Sequence, residues 1–152
     1  MSQSNPDQSK PEDFETPVQQ GTQAKIIRYV APELDRAKGV VVLARSDIML
    51  AAVQLVKKGG ENNLHSHSGM DGFWFVLRGR VRFYGAGDAA MGEFGPHEGV
   101  FIPRGVSYWF ESCSEEMLEI LQVESFVKGA ASTRTDFEPK KLSGKDFRLF
   151  QG

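Results

Sequence analysis

The chain has 152 residues and a formal net charge of −2, with 40% apolar and 25% charged residues. That balance excludes a wholly disordered chain and offers no basic surface on which nucleic acid would track. A single cysteine, Cys113, excludes an intrachain disulfide, and no apolar run approaches the roughly 20 residues of a membrane span.

Residues 1–23 are rich in Ser, Gln, Pro and acidic residues, with Phe14 and Val18 as apolar anchors. They are expected to form a disordered arm. No basic start followed by an apolar stretch marks a signal peptide, so a cytoplasmic location is expected. Residues 24–127 are expected to hold the folded barrel. Lys25–Val30 reads as a first strand, and Ala31–Gly39 as a connection with one helical turn. Val40–Ala44 and Ile48–Val56 are β-branched and apolar, and Lys57-Lys58-Gly59-Gly60 is a turn signal. Further strands are expected at Leu64–Ser68, Phe73–Leu77, Val81–Tyr84, Gly99–Ile102, Ser107–Phe110 and Met117–Val123. Phe73–Leu77 is apolar at every position, so one face should line an interior and the other should pack on a second sheet or subunit. Residues 128–152 are more polar and are expected to wrap the barrel with little regular structure. Short strands at this spacing, punctuated by 16 glycines and 7 prolines, indicate a sandwich or barrel of six to eight antiparallel strands.

Two of the three histidines lie in His65-Ser66-His67. On a strand, residues i and i+2 point to one face, so both imidazoles can converge on one ion. Asp71 follows shortly after. Two histidines and a carboxylate make the open facial set that suits non-haem iron.

The wider pattern resembles the cupin superfamily. Gly59-Gly60, His65-Ser66-His67 and the run Asp71 to Gly79 resemble its first signature. The run from Val100 through Pro103 and Gly105 to Tyr108 resembles its second, and Gly79 and Gly99 stand 20 residues apart. The resemblance covers roughly Val40–Ser125. It implies an antiparallel double-stranded β-helix, or jelly-roll barrel, that is often dimeric. It also implies one divalent metal in the mouth, held by three histidines and a glutamate. Only His65 and His67 match that ligand set. Gly72 stands at the glutamate position, with Asp71 one residue early, and Tyr108 stands at the third histidine. A one-residue shift turns a side chain to the other face unless a bulge at Gly72 returns it. A phenol coordinates only a strong Lewis acid such as ferric iron.

The expected metal is therefore iron, or else nickel, manganese or zinc, on His65 and His67, with Asp71, Tyr108 or water completing the shell. Trp74 and Gln122 are the expected ligand contacts, Gln122 being in phase with Leu118 and Ile120. His97 reads as a surface turn, Cys113 as structural, and Arg78, Arg80, Arg82 and Arg104 as solvated. Gly85-Ala86-Gly87-Asp88 precedes no helix, so it is not a phosphate loop. Two functions stay open. One is a metal-dependent oxygenase or isomerase acting on a small organic substrate. The other is a non-enzymatic barrel that binds a small molecule with its metal set degraded. A homodimer is expected from the two-faced apolar strand and the unpartnered first strand.

Overall fold

A computed structural model describes residues 23–129, 131–142 and 144–151. Of the arm expected over residues 1–23, all but the last residue lie outside them. Eleven strands run in chain order among the described residues. They are β1 (Lys38–Arg45), β2 (Met49–Val56), β3 (His65–His67), β4 (Met70–Arg78), β5 (Val81–Tyr84) and β6 (Ala90–Phe94). Then come β7 (Gly99–Ile102), β8 (Trp109–Ser112), β9 (Leu118–Phe126), β10 (Arg134–Asp136) and β11 (Phe147–Gln151).

Six strands form one sheet in the order β11-β1-β2-β9-β4-β7, and three form a second, β6-β5-β8. β3 pairs with β10, and a single bridge from His65 to Tyr108 joins that pair to the start of β8. The two larger sheets face each other across one core. Val56, Trp74, Val76, Leu118 and Ile120 come from the first; Val81, Phe83 and Phe110 come from the second. Phe83 stacks on Phe110 with centroids 5.0 Å apart. Alternation within each strand sets this up: Trp74 and Val76 are fully buried, while Phe73 and Leu77 on the other face are exposed.

Two glycines are required by geometry. Gly79 turns β4 into β5 at φ +83°, where an L side chain is strained. A Cβ on Gly99 would fall 1.9 Å from the Trp74 carbonyl oxygen, so only glycine lets β7 pair with β4.

The structure corrects three expectations. Lys25–Val30 is not a strand. Both edges of β1 are taken, by β2 and β11, so this segment packs by side chains over the outer face instead. Tyr29 and Leu34 cover Val41, Val53 and Leu55 there. The 128–152 region is not irregular: it supplies β10 and β11. The barrel itself is antiparallel as expected, every pairing among β1–β9 running so, while β11 from beyond the expected barrel span adds in parallel to β1. Finally, β6 brings the strands within residues 24–127 to nine, β1–β9, where six to eight were expected.

Candidate functional site in the barrel mouth

β3 is three residues long, yet it fixes the site. His65 and His67 are buried while Ser66 between them is half-buried. Their ring centroids lie 5.0 Å apart with planes at 85°. Tyr108 is also buried, its ring 4.5 Å from that of His65. The two backbones hold this geometry: His65 N donates to Tyr108 O at 3.1 Å and Tyr108 N donates to His65 O at 2.9 Å. His65 Nδ1 lies 2.7 Å from the Asn63 carbonyl oxygen. A carbonyl only accepts, so in the neutral ring Nδ1 carries the proton and Nε2 keeps its lone pair.

The opposite wall carries a polar ladder. Gln54, Gln122 and Glu124 are all buried. Gln54 Nε2 donates to Gln122 Oε1 at 2.7 Å, and Gln122 Nε2 donates to Glu124 Oε1. Gln122 is thus tied to side chains rather than standing alone in an apolar cavity. Gln54 Oε1 and Trp74 Nε1 are buried and, among the described residues, have no hydrogen-bond partner. Such atoms ordinarily face a water or a ligand. Gly72 sits beside the indole: a Cβ there would lie 3.2 Å from Trp74 Nε1. In register, Gly72 is opposite Glu124 and Trp74 is opposite Gln122.

A narrow cleft opens at this end, lined by His67, Gly72, Ile102, Pro103, Val106 and Tyr108. It has space for about one water molecule. The Pro103–Val106 turn forms its outer wall, and Gly105 N donates to His67 O at 2.7 Å.

Asp71 is a correction. It does not join the histidines. It alternates outward between buried Met70 and Gly72, and its carboxylate accepts from Arg104 N at 2.9 Å and Arg104 Nε at 3.3 Å. Those contacts, the backbone N–H foremost, hold its pKa below the usual carboxylate value. Asp71 therefore pins the cleft wall rather than facing into it. No bulge occurs at Gly72; the β4–β9 register is regular there and shifts only past Val76.

Sequence reasoning missed Gln54, Glu124 and Lys38. The signal for the first two was their phase with Ala52 and Gln122. Lys38 is fully buried, its ammonium 5.4 Å from the Phe110 ring centroid. His97 is exposed at φ +67°, at a surface turn as expected. Arg78 and Arg104 are exposed as expected, ion-paired with Glu116 and Asp71. Cys113 Sγ donates to Glu93 Oε1 at 3.0 Å. Burial first, then that bond, pushes its thiol up to about 11, so it is not a ready nucleophile.

The family described as "Cupin domain" matches residues 52–124. Among solved structures, a Klebsiella pneumoniae protein with a double-stranded β-helix domain aligns at TM-score 0.58 and 15% identity, covering 75% of this chain and 99% of that one. The Schizosaccharomyces pombe Cnp3 cupin domain aligns at TM-score 0.56 and 13% identity, covering 64% and 70%. A putative sugar phosphate isomerase from Acidithiobacillus ferrooxidans aligns at TM-score 0.51 and 15% identity, covering 59% of this chain and 56% of that one. This chain thus spans only about half the length of that isomerase. Among curated proteins none matches the sequence. The family match over residues 52–124 and the double-stranded β-helix neighbours together support a cupin domain in this chain. These likenesses are to the fold, and fold does not fix chemistry.

The cupin resemblance implies a four-ligand metal site, and the donors gathered here are two imidazoles and a phenol. The glutamate position is Gly72 and Asp71 is committed to Arg104. Among the described residues, no three His, Cys, Asp or Glu side chains gather where they could hold an ion. The residues present do not fit the superfamily's four-ligand set.

Proposed function

We propose that this cupin binds a small polar organic molecule in its barrel mouth, with the binding done by side chains rather than by a four-ligand metal centre. The observation that carries this reading is the replacement of both remaining metal-ligand positions, by Gly72 and Tyr108, beside a buried indole N–H with no partner among the described residues. Trp74 Nε1 is suited to donate to a ligand oxygen. His65 Nε2 and Gln54 Oε1 are suited to accept from a ligand hydroxyl or N–H. Burial makes each of these bonds worth more than it would be in water, and costly to leave unmade. The cleft's size admits a terminal hydroxyl or carbonyl group. Burial of His67 and Tyr108 against it keeps bulk water out.

One observation favours a second reading. The His65 Nδ1 contact with the Asn63 carbonyl is the arrangement that metal-binding imidazoles use to present Nε2. On that reading His65 and His67 hold one divalent transition metal, iron first, and a Lewis acid there would polarise a bound oxygen for an oxygenase or isomerase reaction.

Metal content separates the two. Protein purified without chelator from iron- and manganese-supplemented cells is expected to carry well below one metal per chain. It should also fail to take up iron, manganese, nickel or zinc at micromolar levels. One metal per chain, lost in His65→Ala and in His67→Ala, would establish the second reading instead.

A further inference from the structure

We propose that the C-terminal segment completes the site, with Arg134 and Asp136 of β10 acting as positioning residues for His65 through Asn63. This rests on the reading that His65 presents Nε2 to the barrel interior. Among the described strands β3 pairs with β10, in the register Arg134 to His67 and Asp136 to His65, beside the single bridge from His65 to Tyr108. The side chains add a closed network just before the histidines. Asn63 Nδ2 donates to Asp136 Oδ1 at 2.9 Å and to the Glu138 carbonyl at 3.0 Å. Arg134 Nη2 donates to Asn63 Oδ1 at 3.0 Å, and Arg134 Nε donates to Asp136 Oδ1 at 2.8 Å. Both ends of the Asn63 amide are therefore held, and its O and N cannot exchange places without breaking the network. The Arg134 side chain is only 4% exposed, while that of Asp136 is 26% exposed.

Asn63 is held at its side chain by the tail and offers its backbone carbonyl to His65 Nδ1 at 2.7 Å. The next residue is tied as well: Phe137 N donates to Leu64 O at 3.0 Å. On the far side of the histidines, Ser68 N donates to Thr133 O at 3.0 Å. Gly69 lets the tail pass, since a Cβ there would lie 3.0 Å from Ser132 Cα. The tail thus grips the backbone on both sides of His65-Ser66-His67. The effect of Arg134 and Asp136 on the site runs through orientation of the Asn63 carbonyl.

The tautomer of His65 reports this directly and needs no ligand or metal. Long-range ¹⁵N–¹H NMR of the full chain at a pH where the imidazoles are neutral is expected to show His65 as a single Nδ1–H tautomer. In Arg134→Ala the Asn63 carbonyl loses its setting, and a population with the proton on Nε2 is expected. Arg134→Lys restores one of the two contacts and is expected to recover part of the Nδ1–H form. His97, far from the network in sequence and exposed, serves as the internal control. A folded Arg134→Ala protein whose His65 remains wholly Nδ1–H overturns the proposal. If that variant does not fold, Asp136→Leu decides: it keeps the approximate shape but removes the acceptor for Asn63 Nδ2, so a shift toward Nε2–H supports the proposal and an unchanged ring overturns it. Failure of the mouth to bind any small molecule would leave these tautomer results standing, so the two ideas fail separately.

Discussion

Gln54, Gln122 and Glu124 show how single residues set the interior. The amide of Gln122 donates to one neighbour and accepts from the other, so its orientation is fixed at both ends. Gln54→Leu keeps the volume but strands Gln122 Oε1. It is expected to destabilise the fold by about 1–3 kcal/mol, measurable by chemical denaturation. Asp71 gives a pH signature. Its carboxyl is held below the ordinary range, mainly by the Arg104 backbone N–H. A depressed carboxylate stabilises the fold above the unfolded pKa, near 3.9, and that contribution is lost as pH falls through the lower, folded value. The Arg104 amide resonance should therefore move only in strong acid in wild type, and in Asp71→Asn the movement should vanish. At neutral pH Cys113, raised to about 11, should react with iodoacetamide more slowly than a free thiol, for which thiolate is more abundant. His65, His67 and Cys113 were legible because alternation and sequence neighbourhood suffice for them. Asp71 was misplaced because parity on a strand is unforgiving: one residue of offset put it outside, and Arg104 offered it a partner there.

At the scale of elements, strands with an apolar face could be read and strands defined by distant partners could not. β4, β5 and β7 bury alternate apolar side chains and announce themselves. β6 buries almost nothing, lying at the edge of the small sheet with both glycine and glutamate in it. β11 depends on pairing in parallel with β1, more than a hundred residues earlier, and no local pattern encodes that. Lys25–Val30 has strand composition, but both edges of β1, over which it packs, are taken by β2 and β11. The β4–β7 pairing makes a sharp test of close packing. Gly99→Ala would drive a Cβ into the Trp74 carbonyl, and is expected to cost about 3 kcal/mol. It should also disturb Trp74 at the site. A Gly87→Ala control, with nothing within 4 Å of its Cβ but φ at +67°, should cost about 1 kcal/mol through the backbone alone.

For the whole molecule, the outer face of the large sheet is only half covered. Tyr29 and Leu34 pack over its β1–β2 side, together with Leu121 of β9. Beyond β9 the face carries Phe73, 44% exposed, and Phe101, 58% exposed. The two are directly opposite in the β4–β7 register, and Phe75 stacks on Phe73 with centroids 5.9 Å apart. A second copy of the chain is the proposed cover, since a two-fold axis brings the same strip against itself. Sedimentation at micromolar concentration is expected to give the mass of two chains, and Phe101→Asp to give one. A wild-type monomer would contradict this.

Inside the barrel, two sheets converge on one mouth, the proposed ligand site, where Trp74 Nε1 and Gln54 Oε1 are buried without a hydrogen-bond partner among the described residues. The most direct measurement there is the indole N–H of Trp74. In a ¹⁵N–¹H spectrum two indole signals are expected, and Trp74→Phe identifies which is Trp74. Titration with glycerol, glycolate and acetamide, small probes bearing hydroxyl and carbonyl oxygens, is expected to shift the Trp74 signal together with the His65 and His67 rings. The exposed His97 ring should stay in place. A Trp74 signal and His65 and His67 rings that hold still through saturating concentrations of all three probes would contradict an organic-ligand site in the mouth.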